Sequence, residues 1–389
     1  MTKPEHAGRT ACLIALAVTA LTFCWQFASV HLVYNDNWTS LYYAGDQVPV
    51  PKELADEHVY LFPNVVGYDG EGYHVMAHDP FFRRDYNKYF DLPRLRYRRI
   101  LVSGLAWLLA FGRDEWVDRA YYSIILGFVF LGTYWLGRWC QSHERSPLWA
   151  LLFIATPAAL CSISLMTIDI ALAAFTAGLL WYSEQKAWGK LFVVLACAAL
   201  TRETGILLLI GWCAWLVFER RFLFAIKYAA AAIPLACWML FVSMHTEPSS
   251  QVWLSPIPLY GILNTLVHPR TYTAGWYHNI LVSMDRIAMI GMLIALALLF
   301  RDALRAATRD YKTFAALTFA GLAVFLAGGD VWPEVVAFGR NFTPLLLIVA
   351  VSGILSGSWW RFVPILLIDP RVLVIHVMQA GRIVHALGR

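Results

Sequence analysis

Charge is what this chain has least of. Only 15% of its 389 residues are Asp, Glu, Lys or Arg, against 59% hydrophobic residues. A soluble domain of this length needs far more charge to cover its surface. Mean hydropathy is +0.56. Catalytic and redox signatures are missing as well. The sequence holds no glycine-rich phosphate loop ending in Lys-Ser/Thr, no HExxH, no GxSxG and no zinc-type cysteine spacing. No CxxC occurs. The seven cysteines lie in or beside apolar runs, as small residues packed among helices do. Internal repeats and low-complexity tracts are absent too. The net charge of +5 is weak and dispersed, which argues against a nucleic-acid partner.

What is present is a succession of apolar runs. The first, 10–34, is too long for the apolar region of a signal peptide and lacks a small-x-small cleavage site. It reads as a retained spanning helix, with Lys3 and Arg9 holding the N-terminus in the cytoplasm. A span takes roughly 20 apolar residues. Further candidates are 117–138, 147–164, 167–184, 187–201, 204–218, 222–243, 280–300, 313–328 and 340–357. The expected fold class is all-α: a polytopic transmembrane bundle of about ten spans in one membrane-embedded domain.

The segment 100–112 decides the topology. It is short and flanked by Arg98, Arg99 and Arg113. If it lies in the interface, the short inside loops carry Arg138, Arg145, Lys186, Lys190, Arg220, Arg221, Arg301 and Arg305. If it spans, every later loop inverts and the basic residues fall outside, against the positive-inside rule. An interfacial helix is therefore expected. Two long outer loops follow, 35–99 and 245–279, and the C-terminal stretch 369–389 reads as a cytoplasmic amphipathic tail.

The first loop contains YDGEGYHVMAHDP, residues 68–80, with carboxylates at Asp69, Glu71 and Asp79. Gly70 and Gly72 permit a tight turn, after which Tyr73–His78 would begin a short helix. A carboxylate at a membrane surface serves as a general base or as a ligand for a divalent metal; an ordinary solvated turn is the plain alternative. His74 and His78, four apart, would bind a metal if helical, the plain alternative being solvated or hydrogen-bonded side chains. Other polar residues fall at outer span ends: Asp169, Arg202 and Glu203 in LTRETG, Asp285 and Arg286, and Arg340 in FGRNFTP. Outer arginines suit a lipid phosphate, because guanidinium pairs with phosphate oxygens in a bidentate way. Snorkelling to headgroups or an Arg202–Glu203 pair would explain them one at a time.

With one span, a long acidic outer loop, an interfacial helix and then a bundle with basic inside loops, the chain resembles the C-type glycosyltransferases. These are multispan enzymes that use polyprenyl-phosphate sugars. More narrowly, YDGEGYHVMAHDP, RYRRILVSGLAWLL, LTRETG and FGRNFTP are similar to bacterial inner-membrane proteins linked to cell-surface glycopolymer formation. The resemblance implies Asp69 as catalytic base, at the matching position. Glu71 stands where the narrower motif has glutamine and would bind metal or acceptor, or merely face solvent. Arg202 and Arg340 would contact the lipid phosphate, with Tyr68, Tyr73, Asp79, Arg99, Asp169 and Glu203 around the substrate. The implied partners are a polyprenyl-phosphate-linked sugar, a glycan or glycolipid acceptor and membrane lipids. Metal dependence stays open. Two other classes remain: a transporter or flippase of a lipid-linked glycan, and a non-catalytic scaffold of a polysaccharide assembly complex.

Overall fold

The computed structural model describes residues 4–55, 57–248, 251–272, 275–305, 310–328 and 331–388. It is helical almost throughout. The first helix, α1 (Pro4–Val33), is 30 residues long, about 45 Å at 1.5 Å per residue. The loop that follows folds into a compact cap. Its only strands among the described residues are β1 (Ala44–Gly45) and β2 (Leu61–Phe62), paired in parallel with Ala44 opposite Leu61. The cap also holds the short helices α2 (Lys52–Ala55), α3 (Asp69–His78) and α4 (Pro93–Tyr97).

Next comes α5 (Leu101–Leu109), the segment that sets the topology. Its nine residues reach about 14 Å, under half of a hydrocarbon core of about 30 Å, so it does not span. The bundle then continues through α6 (Asp114–Ser142), α7 (Leu151–Ile154), α8 (Pro157–Leu165), α9 (Asp169–Glu184), α10 (Trp188–Thr201) and α11 (Ile206–Phe218). After α12 (Phe222–Ala229) and α13 (Ile233–His245) a loop carries α14 (Tyr260–Val267). The last helices are α15 (His278–Leu304), α16 (Tyr311–Phe325), α17 (Val335–Asn341), α18 (Thr343–Ser356) and α19 (Val363–Leu387).

Five helical stretches are long and apolar enough to cross a membrane: Gly8–Val33, Asp114–Ser142, Phe222–His245, His278–Leu304 and Trp359–Leu387. Two bent pairs raise the number to seven, Pro147–Ile154 with Pro157–Leu165 (56°) and Val335–Asn341 with Thr343–Ser356 (64°). The chain is thus a helical, multi-pass membrane protein by length and hydropathy. The expected ten is not reached on those criteria. The segments 167–184, 187–201, 204–218 and 313–328 form helices of 16, 14, 13 and 15 residues. Those lengths come to about 20–24 Å, short of the hydrocarbon thickness.

Burial follows composition. α9 and α18 are apolar around most of their circumference and sit inside the bundle. α12 and α13 leave Leu223, Ile226 and Leu240 exposed on the outer surface, as lipid-facing helices do. No cysteine forms a disulfide; Cys140 and Cys161 are buried, whereas Cys24 and Cys237 are exposed.

The C-terminal stretch departs from expectation. Residues 369–387 are no separate cytoplasmic tail but the body of α19, which runs along α15 and α1. Arg371 Nε donates to Asp285 Oδ1 at 2.9 Å, and Arg382 Nη1 donates to the hydroxyl of Tyr34 at 3.0 Å. Tyr34 follows the last residue of α1, so the two described chain ends lie at opposite ends of the bundle. The amphipathic pattern misled because its polar residues meet polar partners inside the protein: Gln379 accepts from Tyr34, and His376 contacts Ser164 at 3.0 Å.

Candidate functional site

The acidic loop is helical from its first carboxylate onward. α3 begins at Asp69, one turn earlier than the glycines suggest. The left-handed residue is Gly67, at φ +88°, just before the helix. Gly70 serves close packing instead of a turn. A Cβ there would stand 2.1 Å from the Leu165 carbonyl oxygen and 2.7 Å from that of Tyr42. α3 is thereby seated against the end of α8. Asp69 and Glu71 occupy its first turn, where the helix dipole favours negative charge.

Three further elements bring arginines to this end. Arg202 sits in extended conformation, φ −157° and ψ 151°, at the break between α10 and α11. Arg340 lies in the last turn of α17, just before the bend into α18. Arg96 and Arg99 flank the end of α4. Together they form an alternating chain of charge. Arg96 Nη1 donates to Asp69 Oδ1 at 2.9 Å, and Arg340 Nη2 donates to Asp69 Oδ2. Arg340 Nη1 donates to Asp169 Oδ2 at 3.0 Å, while Arg202 Nη1 donates to Asp169 Oδ1. Arg202 Nε stands 3.7 Å from Glu203 Oε1. Arg99 grips Glu203 through Nε at 2.8 Å and Nη2 at 2.7 Å, and its Nη1 donates to the Tyr73 hydroxyl at 2.9 Å.

These groups edge a cavity of about 730 Å³. Tyr68, Asp69, Glu71, Arg96, Arg98, Arg99, Arg202, Glu203, Glu334 and Arg340 supply its polar lining. Leu92, Leu95, Trp253, Leu322, Leu326, Val331 and Phe342 supply the apolar part. Arg96 Nε also donates to Asp91 Oδ1 at 2.7 Å, so the four guanidiniums meet four carboxylates. The Nε atoms of Arg98, Arg202 and Arg340 are buried and have no hydrogen-bond partner among the described residues. The Arg340 guanidinium also lies 5.1 Å from the centre of the Tyr68 ring, a cation–π contact.

The two acidic residues of α3 differ in electrostatics. Burial opposes ionisation of Asp69, but the Arg340 guanidinium, followed by Arg96 and Arg99, outweighs it. Its carboxyl is held well below the usual range. Burial also acts on Glu71, and there nothing matches it. The Gly45 N–H, 3.3 Å from Glu71 Oε2, lowers its pKa only in part, and the carboxyl is pushed up to about 7.

Of the residues singled out from sequence, Tyr68, Asp69, Glu71, Arg99, Arg202, Glu203 and Arg340 line the cavity. Asp169 does not; it is 1% exposed and sits behind, clamped between two arginines. Tyr73 is fully buried and its hydroxyl accepts from Arg99. Asp79 lies outside the cavity lining. It is buried and accepts from the backbone N–H groups of Arg83 at 2.7 Å and Arg84 at 3.0 Å, which closes its own loop. Asp285 also stays out of the cavity, bound to Arg371. Sequence reasoning missed Arg96, Arg98 and Glu334. The basic run RLRYRR was a usable signal for the first two, since it stands directly before α5. Glu334 had none, being a lone acid in the loop before α17.

Comparison of the chain with protein-family models, curated proteins and solved structures finds no match.

Proposed function

We propose that the chain is a membrane glycosyltransferase that moves a sugar from a polyprenyl-phosphate donor to an envelope glycan or glycolipid acceptor. In this reading the Asp69 end of the bundle faces the outer side of a bacterial inner membrane, and α5 lies in that interface. The observation that carries the proposal is the string of four arginines on Asp69, Asp169 and Glu203 along one cavity that is partly apolar. A lipid phosphate needs just such a combination: guanidiniums for the phosphate and an apolar wall for the first isoprene units.

The chemistry follows from the ion pairs. As found, Asp69 is too strongly held by Arg340 and Arg96 to be a useful base. A donor phosphate competes for the same guanidiniums. Once Arg340 and Arg96 turn to the phosphate, Asp69 regains ordinary carboxylate basicity, about pKa 4. It then accepts the proton of an acceptor hydroxyl as the hydroxyl oxygen attacks the anomeric carbon. The bond from that carbon to the phosphate oxygen breaks, and the leaving polyprenyl phosphate keeps the electron pair. Attack from the face opposite the phosphate inverts the anomeric centre. Arg202 and Arg340 stabilise the developing phosphate charge. Glu71, half-ionised near neutrality, is suited to orient the acceptor. Loss of a positioned base costs typically 10²–10⁴-fold in rate. Asp69→Asn is therefore expected to lower transfer from a labelled lipid-linked sugar about 100-fold or more. Full transfer by that variant would remove Asp69 from the chemistry.

One observation favours a second reading. Arg340 stands at the bend of a broken helix pair, α17–α18, an arrangement that transporters use for substrate sites. A flippase would move the lipid-linked glycan across vesicles without forming any new glycosidic bond.

A further inference from the structure

α3 presents a second set of side chains away from the cavity. His74 and His78, one turn apart, face Asp118 on α6 and Glu57 in the loop after α2. His74 is 1% and His78 2% exposed. One ligand atom from each of the four residues falls within a 4.8 Å group. His74 Nε2 lies 3.0 Å from Asp118 Oδ1, and His78 Nε2 lies 3.7 Å from the same oxygen. Glu57 Oε2 stands 3.7 Å from His74 Nε2. Despite this crowding, His74 Nε2, His78 Nε2 and Glu57 Oε2 are buried without a hydrogen-bond partner among the described residues.

We propose that Glu57, His74, His78 and Asp118 form a structural binding site for a divalent transition metal, Zn²⁺ in the first instance. Two imidazoles with two carboxylates are a borderline donor set that suits Zn²⁺. Donor atoms in a tetrahedral zinc site stand about 3.3–3.4 Å apart, given Zn–N and Zn–O bonds of about 2.0–2.1 Å. The observed separations bracket that value: the 3.0 Å His74–Asp118 pair would open slightly, and the others, which lie within 4.8 Å, would close onto the ion. Outer partners are already in position. His78 Nδ1 lies 3.1 Å from Asp114 Oδ1, which leaves Nε2 for the metal, and the Tyr42 hydroxyl donates to Asp118 at 3.0 Å. Such contacts fix the tautomer and orientation of metal ligands. Two buried histidines and two partly exposed carboxylates fill four positions and leave none open, so the metal's role is to fasten. It ties the loop at Glu57 and the helix carrying Asp69 and Glu71 to the start of α6. None of the four ligands lines the cavity, and the site does not depend on the transferase reading.

The test uses the full chain, purified in detergent without a histidine tag after growth with added zinc. Metal content by mass spectrometry is expected to be near one zinc per chain in the wild type and at least about tenfold lower in His78→Gln. Cobalt exchanged into the wild-type chain is expected to give visible bands of tetrahedral intensity. That spectrum decides the matter if His78→Gln does not fold. A wild-type chain free of metal, with an unfolding midpoint indifferent to Zn²⁺ and to chelator, would overturn the proposal; protons would then hold the cluster together. Undiminished zinc in a folded His78→Gln chain would overturn it equally.

Discussion

At the scale of single residues, the consequential contrast is between Asp69 and Glu71. They share one helical turn and one cavity, yet one carboxyl is pulled down by arginines and the other pushed up by burial. Glu71 has a folded pKa raised from 4.5 to about 7, so its contribution to stability is present below about pH 4.5 and is lost as pH rises to about 7 and beyond. Glu71→Gln should flatten the unfolding midpoint across that interval, as a thermal series from pH 4 to 8 will register. In transfer assays the same variant should weaken acceptor KM more than kcat and remove a step in rate near neutral pH. Asp169 calls for a different expectation. It is buried between Arg202 and Arg340, so Asp169→Ala leaves two guanidiniums without their shared partner. Removing one side of a buried pair costs about 3–5 kcal/mol, and the midpoint in detergent should fall sharply. Arg340→Lys keeps the charge but loses the fork that joins Asp69 to Asp169. Transfer should fall by about 10²-fold while the fold survives.

Among the elements, α3 joins sequence to site most directly. The acidic motif stands out in the sequence because three carboxylates and two glycines in thirteen residues are unusual beside so little charge elsewhere. Its conformation was not legible. Asp-Gly reads as a turn, but the turn chemistry is carried by Gly67, and Gly70 answers to a neighbour nearly a hundred residues on, the carbonyl of Leu165. No local rule reveals that contact. Gly70→Ala should therefore overpack the α3–α8 seat, at about 1–3 kcal/mol, and displace Asp69 from Arg340. The measurable result is a loss of transfer alongside a modest loss of stability. The metal ligands illustrate the same limit. His74 and His78 were recognisable as a pair because helix spacing is local, whereas Glu57 and Asp118 come from elements that only tertiary packing brings near.

For the molecule as a whole, the membrane character followed from composition alone, and the shortness of 100–112 placed α5 outside the set of spans. The C-terminal helix was misread for a physical reason. Arg371, Gln379 and Arg382 look like a solvated face until Asp285 and Tyr34 are set opposite them. A polar stripe in a long apolar helix has the same pattern whether it meets water or another polar stripe. The corrected arrangement predicts that Asp46→Cys and Gly388→Cys react with a membrane-impermeant maleimide from the same side of sealed vesicles. Arg220→Cys should react only from the other side. Labelling of Gly388→Cys together with Arg220→Cys would contradict the course described for α19.

The proposed transfer of a sugar from polyprenyl phosphate by Asp69 and its arginines is tested most directly by incubating the purified chain in nanodiscs with a pool of radiolabelled polyprenyl-phosphate sugars and an envelope acceptor extract. Free polyprenyl phosphate and labelled acceptor are then measured. The wild type should release polyprenyl phosphate in step with labelled acceptor, and Asp69→Asn should lower both about 100-fold or more while binding donor undiminished. Equal product from wild type and Asp69→Asn, or donor carried across the bilayer with no new glycosidic bond, would contradict it.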